Sequence, residues 1–162
     1  MTQNVSSDMY VVKWREGFKV GLDQVDVQHQ RLFHLVKNLE LDLIEPAIDA
    51  LLDYVVEHFG TEQELMEQSS YPDYANHLRL HEEFAAAVAD FLGSGESWDE
   101  TRLTNLRRFL NKWLIRHIMV HDLRFGRWYQ QHANLQQAGA VDSSTQTKKV
   151  GWLGRLLGLK TH

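Results

Sequence analysis

Apolar residues return at intervals of three and four along most of this chain, the spacing that puts side chains on one face of an α-helix. From Asp23 the series Val25, Leu32, Phe33, Val36, Leu39 and Leu43 predicts a first helix ending near Ile44. Pro46 suits the first turn of a second helix, whose apolar side is Ile48, Leu51, Leu52, Val55, Phe59, Leu65 and Met66. Tyr71-Pro72-Asp73 then breaks the pattern, because a proline disfavours helical backbone at the residue before it. A third helix is expected from Asp73, a suitable N-cap, to Leu92, stopped by Gly93 and Gly95. Ser97-Trp98-Asp99-Glu100 resembles a capping box, opening a fourth helix that carries Leu103, Leu106, Leu110, Trp113, Leu114, Ile118 and Phe125 and reaches His132. With four such helical stretches, the chain reads as all-α.

The ends are patterned differently. Residues 1–22 show no sustained period and read as an arm held on the domain by Trp14, Phe18, Val20 and Leu22. Residues 133–149 are small and polar and read as a linker. Residues 150–162 read as a short amphipathic tail: Trp152, Leu153, Leu156, Leu157 and Leu159 form an apolar side, and Lys148 to His162 holds four basic and no acidic residues. Such a segment could dock on a membrane surface or on a partner protein.

A chain of 162 residues, 43% of them hydrophobic, is long enough for one domain with a well-buried core. With no cysteine, disulfides, thiolate zinc sites and cysteine-ligated iron–sulfur clusters are excluded, leaving histidine and carboxylate as the strong metal donors. A net charge of −5 with no clustered basic face argues against nucleic acid as a partner. The start lacks a secretory apolar run, and no stretch approaches a spanning helix, so a cytoplasmic protein is expected, with the tail offering peripheral attachment to a membrane.

The candidate chemistry lies in polar residues embedded in those apolar stripes. His58 and Glu62 are four apart on the second helix, and His77 and His81 four apart on the third; each pair therefore aims two ligand-type side chains at one point. His29 lies in the first helix, with Asp26 three residues earlier as the expected acceptor for its outer N–H. His34 belongs to neither group. On the fourth helix, His121 is four residues from His117, whereas Asp122 is five away and about 140° round a regular helix; a local widening would favour Asp122 instead. The zinc-protease HExxH pattern fails, because Ala85 stands where its second histidine belongs. The ferritin pattern of two Glu-x-x-His motifs is absent as well.

Taken together, VGLDQVDVQH (20–29), HFGTEQELM (58–66), YPDYANHLRLH (71–81) and WLIRHIMVHD (113–122) resemble the hemerythrin family, and the resemblance spans Trp14 to Tyr129. It implies an antiparallel up-down-up-down four-helix bundle around two non-haem iron ions. His77, His81 and His117 would hold one iron, His29 and His58 the other, and Glu62 and Asp122 would bridge them beside an oxo or hydroxo group. It selects Asp122 over His121. It further implies reversible O2 binding for carriage, storage or delivery rather than catalysis, with Phe59, Trp113, Leu114 and Ile118 as candidates for the apolar wall of the O2 site. The alternatives are an O2- or redox-sensing module and a di-iron oxidoreductase acting on peroxide or nitric oxide.

Overall fold

A computed structural model describes residues 11–136. The tail from 150 and most of the 133–149 segment lie outside the described residues.

The described chain is built of helices: α1 (Asp23–Lys37), α2 (Ile44–Gln68), α3 (Tyr74–Leu92), α4 (Glu100–His117) and, after a turn wound more loosely than an α-helix (Ile118–Asp122), α5 (Leu123–Gln136). α4, the loose turn and α5 run on from one another as one rod, giving the expected antiparallel four-helix bundle. α1 packs against α2 and α4, and α2 against α3. One core of Leu32, Val36, Leu52, Val55, Phe59, Phe84, Leu106, Leu110 and Ile118, among others, runs down the middle.

Several boundaries differ from the periodic reading. α1 stops at Lys37 rather than near Ile44, because Asn38 turns back on the helix end, its backbone N–H and its side-chain amide both donating to the His34 carbonyl at 3.1 and 2.7 Å. Leu39 is still fully buried beyond that end, but Leu43 is 65% exposed and does not continue the apolar stripe. α4 is capped by Asp99, whose Oδ1 accepts from the Arg102 N–H at 2.7 Å, so Ser97 is not the cap. α5 continues four residues past His132 to Gln136. Arg102 locks the α3–α4 turn: its guanidinium lies over the Trp98 ring at 4.2 Å and donates to the Phe91 and Leu92 carbonyls, which the end of α3 leaves without helical partners.

After α2, Ser70 takes a left-handed conformation with φ 57° while Tyr71 N–H closes on the Met66 carbonyl at 2.9 Å. Such a position ordinarily carries glycine, since a Cβ costs about 1 kcal/mol there. Ser70→Gly should therefore raise the melting temperature by a few degrees, corresponding to about 0.5–1 kcal/mol; thermal unfolding followed by circular dichroism checks this.

Of the N-terminal stretch, residues 11–22 are described, and they lie against α1. Phe18 stacks on Phe33 with ring centroids 5.3 Å apart, and Trp14 stands 6.0 Å from Phe33 and 6.4 Å from the His29 ring. The segment turns into α1 at Gly21, whose φ of +89° suits glycine. There, the Val20 and Gly21 N–H groups donate to the two carboxylate oxygens of Asp26 at 2.8 and 3.1 Å. On the other side the Gln130 amide donates to the Gly21 carbonyl at 2.8 Å. Gly126 of α5 meets Val20 so closely that a side chain there would run into the Val20 carbonyl oxygen.

Candidate metal centre

Seven polar side chains converge in the middle of the bundle, each no more than 3% exposed: His29 from α1, His58 and Glu62 from α2, His77 and His81 from α3, His117 from α4 and Asp122 from the widened turn. A buried ionisable group costs several kcal/mol, about 2–7 even for a neutral polar one, unless something compensates it. Seven in one place therefore demand a partner.

Their geometry shows what kind. Donor atoms of Glu62, His77, His81, His117 and Asp122 form one group and those of His29, His58, Glu62 and Asp122 another, with each group's atoms within 4.8 Å of one another. The two carboxylates belong to both, and each divides its oxygens between them. Glu62 Oε2 lies 3.3 Å from His77 Nε2 and 3.2 Å from His81 Nε2, while Oε1 faces His58 Nε2 at 3.6 Å and His29 Nε2 at 3.8 Å. Asp122 Oδ1 is 3.0 Å from His117 Nε2 and 3.2 Å from His77 Nε2, and Oδ2 is 3.0 Å from His29 Nε2.

Within the larger group, His117 Nε2 lies 3.0 Å from His81 Nε2 and 3.1 Å from His77 Nε2. Nitrogen lone pairs brought that close repel unless a proton or a cation sits between them. Adjacent donors on an octahedral ion with bonds of about 2.1 Å are about 3.0 Å apart, which is this spacing. His29 Nε2, Glu62 Oε1 and both Asp122 oxygens are buried without a directed hydrogen bond, although nitrogen and oxygen atoms crowd them. The residues thus fit a pair of cations: imidazole and carboxylate donors, inward-facing, shared through two bridging carboxylates.

Burial opposes protonation of His29 and His77, but the Asp122 and Glu62 carboxylates beside them outweigh it and raise them to about 9 and about 10. Burial prevails at His58 and His81, lowering them to about 4 and about 3. Burial likewise pushes Glu62 and Asp122 upward, yet the surrounding imidazoles hold both well below the usual carboxylate range.

The turn after α4 bears on the choice between His121 and Asp122. Ile118–Asp122 is π-helical, and its wider winding carries the fifth residue after His117 inward. Asp122 is 1% exposed and joins both donor groups, whereas the His121 ring stands off at 5.4 Å from His117 and 6.4 Å from His77. His121→Ala should accordingly leave the metal content of the purified protein unchanged; loss of metal on elemental analysis would return the regular-helix choice.

Among the surrounding residues, Phe59 stacks on His81 with ring centroids 3.7 Å apart and an interplanar angle of 2°, and Trp113 stacks on His117 at 4.3 Å. Leu114 and Ile118 are buried in the same core. Asp26 does not serve His29. Its carboxylate is committed to the Val20 and Gly21 N–H groups, and His29 Nδ1 is buried without a hydrogen-bond partner. Nδ1 of His58, by contrast, has a partner, 2.9 Å from Gln28 Oε1. Sequence reasoning missed Gln28; its signal was a polar residue at a core-facing position, between Val25 and Leu32, on the apolar stripe of α1.

The model of the hemerythrin HHE cation-binding domain matches residues 20–133. The chain belongs to the hemerythrin family. It is 30% identical over 159 residues to a bacteriohemerythrin of Stenotrophomonas maltophilia (strain R551-3), an alignment that takes in 92% of this chain and 97% of that one. A bacteriohemerythrin of Methylococcus capsulatus (strain ATCC 33009 / NCIMB 11132 / Bath) is 29% identical over 126 residues, covering 73% and 96% of the two chains. A hemerythrin-like protein of Naegleria gruberi is 31% identical over 113 residues, covering 69% and 88%. Among solved structures, a crystal structure of a leucine-to-phenylalanine mutant superposes with a TM-score of 0.65 at 29% identity, covering 74% of this chain and 97% of that one. No described helix of this hemerythrin is long and apolar enough to cross a membrane.

Proposed function

We propose that this hemerythrin binds O2 reversibly at a pair of iron ions, as a carrier, store or delivery protein rather than as an enzyme. The observation that carries the reading is the division of the Glu62 and Asp122 oxygens between two unequal donor groups. His77, His81 and His117 would complete the set for one iron, and His29 and His58 that for the other. The second ion would thus have one protein donor fewer, and would be the one able to accept a small exogenous ligand. When bound, a ferrous pair supplies the two electrons that O2 takes up and gives back.

The chain's own part is to hold and to exclude. Four helices fix the donors from four directions, so none can swing away without unpacking the core. Phe59, stacked on His81 and 5.8 Å from the His58 ring, and Trp113, stacked on His117, together with the buried Leu114 and Ile118, would wall both donor groups off from bulk water and stray reductants. Trp14 covers the His29 side. A wall of this kind favours return of the gas unchanged over turnover.

The test is a visible spectrum of the reduced, iron-loaded protein before and after air, and again after the gas is removed. A charge-transfer band that comes and goes supports reversible binding. A band that bleaches irreversibly within a cycle points to oxidase or peroxidase turnover, and no band at all to another metal.

A further inference from the structure

The hydrogen bonds around Gln28 form a chain whose direction can be read from one end to the other. The Thr61 hydroxyl lies 3.1 Å from the Glu57 carbonyl of its own helix, and a carbonyl only accepts, so Thr61 spends its proton there. Toward Gln28 the Thr61 oxygen can then only accept, which requires the amide nitrogen of Gln28, Nε2, on that side at 2.9 Å. The amide orientation follows, and leaves Gln28 Oε1 facing His58 Nδ1 at 2.9 Å. A carbonyl oxygen cannot donate, so the proton of that bond belongs to His58 Nδ1. The other ring nitrogen, Nε2, then turns a bare lone pair toward Glu62, 3.6 Å away.

We infer that Gln28 is a positioning residue: it fixes the His58 tautomer with the proton on Nδ1, and so presents Nε2 ready to bind a metal ion. The inference rests on the proposed role of His58 as a donor and adds the device that prepares it. A ring nitrogen that carries a proton cannot ligate, so an imidazole in the other tautomer has to move that proton before binding. Gln28 is 5% exposed, and its amide spans from α1 to α2, tying the ring to both helices. The arrangement is not shared by His29 or His81, whose Nδ1 atoms are buried without a hydrogen-bond partner. It singles out one imidazole of the smaller donor group, the one assigned the exogenous ligand.

The experiment compares the full-length wild type with Gln28→Leu, Gln28→Glu and Thr61→Val. Gln28→Leu keeps the bulk and removes the acceptor. Gln28→Glu keeps an acceptor, and Thr61 can turn its hydroxyl to meet it. Thr61→Val frees the amide to flip. In the iron-loaded chains, transfer of iron to a chelator should be about 10–100-fold faster for Gln28→Leu, intermediate for Thr61→Val and near wild type for Gln28→Glu. A merely structural role would not predict this order. The shifted His58 Nδ1–H proton resonance should be protected from exchange in wild type and Gln28→Glu, and lost from Gln28→Leu. Unchanged iron release and protection in Gln28→Leu, or failure of Gln28→Glu to restore them, would overturn the inference. Should wild type take up no iron, the proposed function fails by itself. Nitrogen-15 shifts of His58 in the metal-free chain then decide the present point: a proton on Nδ1 in wild type but not in Gln28→Leu sustains it, and a proton on Nε2 in wild type ends it.

Discussion

Replacing Glu62 by Ala should strip the protein of most of its iron. Glu62 is the only side chain of α2 that belongs to both donor groups, and it gives one oxygen to each. Losing it removes a donor from both groups, and a negative charge that would offset the proposed ions. Loss of an outer hydrogen-bond partner alone costs about 10–100-fold in affinity, so loss of a bridging donor should cost more than about 100-fold. Iron per chain, measured after purification in parallel with wild type, is the readout. Circular dichroism should show the helices intact, because the core around the site is large and apolar. A variant that keeps its full iron complement would show that Glu62 is not a bridge, and with it the division of oxygens would lose its meaning.

The second large effect is expected where α5 meets the N-terminal arm. Gly126→Ala should lower the melting temperature by roughly 5–10 °C, corresponding to about 2–3 kcal/mol of overpacking. The new methyl group would overlap the carbonyl oxygen of Val20, a backbone atom that cannot rotate away. Either α5 or the arm must shift. The arm is the lighter element, but it is held by the Asp26 carboxylate and by Gln130, and it carries Phe18 and Trp14 against Phe33. Gly17→Ala is the control, since nothing lies within 4 Å of the added Cβ; it should change stability by less than about 0.5 kcal/mol. Equal melting temperatures for the two variants would mean that the arm yields at no cost.

These two predictions differ in how legible their basis was in the sequence. The donors of α2 and α3 announced themselves as polar residues four apart on apolar stripes, a local signal that helical periodicity preserves. His117 was equally plain, but its companion was not. Regular geometry favoured His121, and only the motif-level resemblance to a family favoured Asp122, because periodicity assumes a uniform helix and the turn at Ile118–Asp122 is not one. The end of α1 was misplaced for a related reason: Leu39 and Leu43 keep the helical spacing while Asn38 has already ended the helix. Asp26 was misassigned because a carboxylate near a histidine looks like its partner, and the competing backbone N–H groups of Val20 and Gly21 leave no trace in composition. The Gly126 contact joins segments more than a hundred residues apart, and no local pattern encodes such a meeting. Gln28 fell between the two cases: its place on the stripe was visible, but its hydrogen-bonding partners on α2 were not.

The loosely wound turn has a reach beyond Asp122. A helix that admits one supernumerary residue delays everything downstream by one step of its screw, about 100° of rotation and 1.5 Å of travel relative to an unbroken thread. Phe125 and Gly126 follow that turn and are both buried, Gly126 against the backbone of Val20. The same irregularity that aims a carboxylate into the bundle thus also sets the bearing at which the arm is moored, so that the donor cluster and the N-terminal clasp are indexed by a single residue.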